Sequence, residues 1–122
     1  MRSQADSRAF AERWVCDWNR KDVEAMLTNF SDDVVFTSPR AQAIVGSSRV
    51  EGKSKLREYW TRAISRVQTI HFALDLVISD GDRMGIVYVA EIDGRRMRAV
   101  EFLKFGDDGL IHEGEAMHGV EL

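Results

Sequence analysis

The sequence predicts an α+β fold in which helices gather on one face of an antiparallel sheet. Two patterns carry this reading. In the first half of the chain, apolar residues recur at helical spacing. From residue 70 onward they fall into β-rich segments separated by turns of Asp and Gly. The resulting order, α-α-β-α-β-β-β-β, brings the last strands together as hairpins and leaves the helices to cover one side.

Phe10, Ala11, Trp14, Val15 and Trp18 form one apolar stripe, which gives a first helix from about 6 to 21. Asp22 is an N-cap for a short second helix carrying Val23, Met26, Leu27 and Phe30, and Ser31-Asp32-Asp33 ends it. The β-branched and aromatic run 34–38 reads as a strand that stops at Pro39. Residues 40–52 are small and polar around Gly46-Ser47-Ser48, and read as an irregular loop. Leu56, Tyr59, Trp60, Ala63 and Ile64 mark a third helix, 53–67. Strands follow at 70–79, 84–92, 95–105 and 110–118.

Asp93-Gly94 is the strongest hairpin signal in the chain. With these two as turn residues, Ile92 pairs with Arg95, Tyr88 with Ala99, and Ile86 with Glu101. Met97, Ala99, Glu101, Leu103 and Phe105 then share one face, the more apolar one, which turns toward the helices. Glu101 is thereby set into a buried face, where a carboxyl must find a partner, stay protonated or face a cavity. On the other face Val87, Val89, Val100 and Phe102 leave apolar surface suited to a homodimer contact.

The 122 residues are enough for one domain, 1–122, with a real core. Positive and negative charges are interspersed and sum to -3, which speaks against a nucleic-acid partner. The single cysteine, Cys16, forbids an intrachain disulfide and reads as a core or interface residue. No segment has the length and apolarity of a membrane span, and the N-terminal residues lack a signal-peptide run, so the expectation is a cytoplasmic protein without membrane partners. No His, Asp and Glu spacing suggests a metal, and no cofactor is expected.

W-x3-WNRKD-x2-AMLTNFSDDVVFTSP, EGKSKLREYW, the GDRMGIVYVAEIDG hairpin and FLKFGDDGLIHEGEAMHG occur in this order. Together they resemble the nuclear transport factor 2-like superfamily, in its SnoaL-like polyketide cyclase and ketosteroid isomerase branch. The resemblance implies a cone, a cystatin-like roll: a strongly curved sheet closed by three helices around a pocket. It also implies frequent dimers through the outer sheet face. The ketosteroid isomerase base, an aspartate before the proline that ends the first strand, corresponds to Ser38. The oxyanion-hole tyrosine corresponds to Trp14, and the protonated acid to Glu101. A hydroxyl does not move protons unaided near neutral pH, so the resemblance does not extend to the standard isomerase mechanism.

The candidate catalytic residues are Glu101, as a carboxyl of raised pKa that donates to a ligand oxygen, and His118, as a base. His118 is placed on the pocket face of the last strand by the resemblance. The competing readings make Glu101 a structural partner of an arginine or Tyr88, and His118 a histidine near a fraying end. The expected pocket walls are Trp14, Trp18, Phe36, Ser38, Tyr59, Trp60, Tyr88, Met97 and Leu103. The function expected is a SnoaL-like pocket protein for a small apolar ligand. If catalytic, it is a cofactor-free isomerase, cyclase or hydrolase acting on an apolar carbonyl or cyclic compound. A non-catalytic ligand-binding or dimerisation module and an epoxide hydrolase or dehydratase are the alternatives.

Overall fold

A computed structural model describes residues 3–122. Helix α1 (Gln4–Asn19) is followed by α2 (Val23–Leu27), strand β1 (Phe30–Thr37), α3 (Pro39–Val45), β2 (Arg49–Glu51) and α4 (Lys53–Ser65). Four long strands complete the chain: β3 (Ile70–Asp80), β4 (Arg83–Ile92), β5 (Arg95–Phe105) and β6 (Ile111–Glu121). They form one curved, unclosed six-stranded sheet in the order β2-β1-β6-β5-β4-β3, with the helices packed on its concave side.

The β4–β5 register is the one the hairpin predicts. Asp93 and Gly94 both have positive φ, 51° and 84°, as a two-residue type I′ turn requires. Tyr88 pairs with Ala99 and Ile86 with Glu101. The Asp93 carboxylate also accepts from the backbone N–H groups of Gln68 and Thr69, at 2.8 and 2.9 Å, and so ties this turn to the end of α4.

Three local expectations change. Residues 40–52 are not an irregular loop: they carry α3 and β2. The signals were present, since Pro39 starts α3 at N1 and Gly46 ends it at φ 82°. Phe30 belongs to β1 rather than to the second helix, and Ser31-Asp32-Asp33 lies within β1 beside a register shift against β6. β1 and β6 run parallel, the one parallel pair in an otherwise antiparallel sheet among the described residues. Residues 38–110 lie between these two strands, long enough for the crossover that a parallel pair needs.

Helix α1 lies along the edge strand β3. Its buried stripe is Ser7, Phe10, Ala11, Trp14 and Trp18. Cys16 is exposed, contrary to expectation, because it falls off this stripe. The Asn19 side chain donates to the Phe72 carbonyl at 3.0 Å and accepts from the Phe72 N–H at 2.7 Å. Gln4 donates to the Val77 carbonyl, and the Ser79 hydroxyl donates to that of Ser7. At the other end, Arg57 of α4 holds Glu24 of α2 through two hydrogen bonds.

Aromatic rings fill the space between helices and sheet. Trp14 stacks on Phe72 and meets Tyr88 edge-on, with centroids 5.9 and 5.1 Å apart. Trp60 packs against Trp18, Phe30 and Phe36 at 5.3 to 5.6 Å. Phe36 reaches β6 only because Gly114 lies opposite: a Cβ there would stand 2.7 and 2.9 Å from two Phe36 ring atoms. The backbone of Gly114 is ordinary, so the constraint is purely steric. Gly114→Ala should therefore lower stability by about 1–3 kcal/mol, the usual cost of overpacking. A urea midpoint unchanged from the parent would show that Phe36 gives way freely.

Candidate functional site

A cavity opens between the concave face of the sheet and helices α1, α3 and α4. The space within its walls and mouth, solvent at the mouth included, is about 630 Å³, in the range of small-molecule sites. Trp18, Phe36, Trp60, Phe72, Tyr88 and Met97 supply apolar wall. Ser38, Arg40, Tyr59, Glu101 and His118 supply the polar groups.

Most of the expected wall residues therefore meet around one space. Trp14 and Leu103 do not reach it. Both are buried, 1% and 0% exposed, and Trp14 lies one layer back, behind Phe72 and Tyr88. Several wall residues escaped the sequence reading, Phe72 and Arg40 among them. Phe72 did so although alternation along β3 places it on the inner face with Leu74. Arg40 did so because residues 40–52 read as a surface loop. Ala116 also lines the cavity, directly opposite Glu101 on β6.

Glu101 is 4% exposed and sits at the centre of β5, between Ile86 and Ala116 on its neighbouring strands. The Tyr88 hydroxyl donates to its Oε2 at 3.2 Å. No arginine or lysine forms an ion pair with it among the described residues. Desolvation pushes its pKa up to about 8, against a smaller lowering by the Tyr88 hydrogen bond. At neutral pH the carboxyl is thus mostly protonated. Tyr88, desolvated beside the same carboxyl, is raised well above its ordinary value and remains a donor.

His118 is half-buried and lies on the cavity side of β6, diagonal to Glu101, since Ala99 pairs with His118 and Glu101 with Ala116. Desolvation, and then the charge of Arg40, lower its pKa, so the imidazole is neutral at pH 7. Ser38 and Tyr59 share a 2.8 Å hydrogen bond on the opposite wall, and burial raises the Tyr59 pKa. Among the described residues, no group of three His, Cys, Asp or Glu could hold a metal ion. Likewise, no helix is long and apolar enough to cross a membrane.

These observations can be set beside known proteins. The profile of the SnoaL-like domain matches residues 11–114. The chain belongs to this family. A SnoaL-like protein of unknown function from Burkholderia thailandensis is 28% identical, with a TM-score of 0.86, covering 98% of this chain and all of the other. TerC, co-crystallised with polyporic acid, is 18% identical with a TM-score of 0.76, over 91% of this chain and 90% of TerC. A Catenulispora acidiphila protein with a ketosteroid isomerase-like fold, in complex with trimethylamine, is 17% identical with a TM-score of 0.68, over 88% of this chain and 82% of the other. Among curated proteins, none matches the chain significantly. The fold is thus that of the nuclear transport factor 2-like and SnoaL-like proteins.

The Glu101 shift has a thermodynamic signature. Between about pH 4.5 and 8 the folded chain keeps a proton that the unfolded chain has lost. Stability from this group is complete below that window, falls as pH rises through it, and levels off above about 8. The slope is at most about 1.4 kcal/mol per pH unit. Glu101→Gln should remove it, so the gap in urea stability between parent and variant should widen in favour of the variant from pH 5 to pH 8. Parallel pH profiles would mean that Glu101 is not desolvated.

Proposed function

We propose that this SnoaL-like protein binds a small apolar carbonyl or cyclic compound in its cavity and performs cofactor-free acid–base chemistry on it. The observation that carries the reading is Glu101, a buried carboxyl on the cavity wall with a tyrosine as its one partner. A protonated carboxyl donates to a carbonyl oxygen as negative charge develops there, and a preorganised donor in a dry site is worth several kcal/mol. Neutral His118, on the adjacent strand, is the group to take a proton from the carbon beside that carbonyl. The two pKa values are displaced in opposite directions, as an acid and a base at the same pH require. Returning the proton to another carbon completes an isomerisation, and attack of the enol carbon on a second carbonyl completes a cyclisation.

Ser38 occupies the place of the ketosteroid isomerase base and is engaged with Tyr59. The base role therefore moves to the other side of the cavity. That fold neighbours crystallised with polyporic acid and with trimethylamine supports a small-molecule role for this architecture.

A two-ring ketone, 2-tetralone, tests the reading. It should bind saturably and quench tryptophan emission through Trp18 and Trp60, which line the cavity. In D2O the protein should speed exchange of its α-protons, followed by NMR. Glu101→Gln and His118→Ala should each cut that exchange at least about a hundredfold, the low end of what a positioned acid or base contributes. Saturable binding without accelerated exchange would leave a binding module; no saturable binding would remove the pocket function.

We further propose that the outer face of the sheet seats a second copy of the chain. Leu76, Val87, Val100 and Met117 pair in a continuous apolar row across four strands, and Phe102 adjoins it. Leu76, Phe102 and Met117 are 41%, 38% and 43% exposed. Phe102→Glu should convert a dimer into a monomer by light scattering at micromolar concentration, because it places an unpaired charge in the contact. A monomeric parent would dismiss the contact.

A further inference from the structure

Within the cavity the polar groups are unbalanced. Arg40, at the start of α3, lines the space and is half-buried. Among the described residues no carboxylate stands within ion-pair distance of its guanidinium, and it makes no hydrogen bond. The carboxylate that feels its charge is Asp93, which is occupied by the N–H groups of Gln68 and Thr69. The other groups that feel it are Tyr59, Tyr88 and His118, all on the cavity wall. Arg40 thus stands on the cavity wall among these groups.

Other polar wall atoms also offer protons, His118 being an acceptor. Trp18 lines the same cavity, is 9% exposed, and its indole Nε1–H is buried without an acceptor. The Ser38–Tyr59 pair uses one hydroxyl proton on itself and leaves the other. These donors and a guanidinium without an ion-pair partner leave room for an anion that accepts hydrogen bonds. A half-buried arginine without a counter-charge is costly, and the carboxylate geometry fits its fork of donors.

We infer that the natural ligand is an organic acid: a flat apolar body of one or two rings against the aromatic wall, carrying a carboxylate that pairs with Arg40. This rests on the pocket reading above and narrows its substrate class. The ring carbonyl then lies toward Glu101, and the acid group fixes which end enters first.

Calorimetric titration with 2-naphthoate and with its methyl ester at pH 7 tests the inference, because the two differ in the charge. The parent protein should bind the acid roughly tenfold or more tightly than the ester, as a charge-assisted hydrogen bond gives. Arg40→Gln should abolish the preference, and Arg40→Lys should retain part of it. Circular dichroism of both variants confirms that the fold is kept. Equal affinity for acid and ester, or a preference that survives in Arg40→Gln, overturns the inference and leaves the pocket reading standing. Failure of both probes to saturate overturns the two together.

Discussion

The two-residue turn at Asp93-Gly94 is the constraint on which the rest depends. A turn of this type admits one register, and side chains on a strand alternate with a period of two. A slip of one residue would turn Glu101 to the outside and bring Phe102 within. The cavity would lose its buried carboxyl, and the outer face would gain a charge amid Val87 and Met117. Asp93 does more than turn the chain. Its carboxylate holds the start of β3 to the hairpin, so the register, the edge strand and the cavity mouth share one anchor.

Much of this was legible in the sequence, and the failures have physical reasons. The long helices and four β-hairpin strands follow from periodicity, because each buries one continuous face. The pairing of Ile86 with Glu101 followed from turn chemistry alone. α3 was missed because seven residues of Pro, Arg, Ala, Gln, Ile and Val have too little periodicity to stand out; its signals are at its ends, in Pro39 and Gly46. β2 is three residues long and takes its conformation from pairing with β1 rather than from its own composition. Trp14 read as a wall residue because its helix face is right, but depth is a property of packing. Phe72 and Tyr88 stand between it and the cavity, and no spacing along α1 encodes that.

The family resemblance and the site chemistry diverge in an informative way. The curved sheet is kept, and a buried carboxyl stands at Glu101, while Ser38, which the resemblance matches to a base, is one partner of a hydroxyl pair. Residues that hold the fold and residues that set the chemistry are different sets in this architecture. A profile match over residues 11–114 therefore fixes the first and leaves the second to local geometry. Arg40 illustrates the point, being invisible to periodicity and recognisable only once α3 has carried it to the rim.

Asn19 presents to Phe72 one donor and one acceptor, the same pair that a neighbouring strand would present. Helix α1 in effect ends in a counterfeit of β structure, one amide long. With Gln4 at the other end, it occupies hydrogen-bonding groups that β3 would otherwise offer to a passing chain. The opposite border ends in β2, too short to serve as a template. Both margins of an open sheet are thereby blunted, and recruitment of a foreign strand, the ordinary hazard of an unclosed β architecture, is discouraged without closing the barrel. The sheet can stay open at one end, and the cavity keeps its mouth.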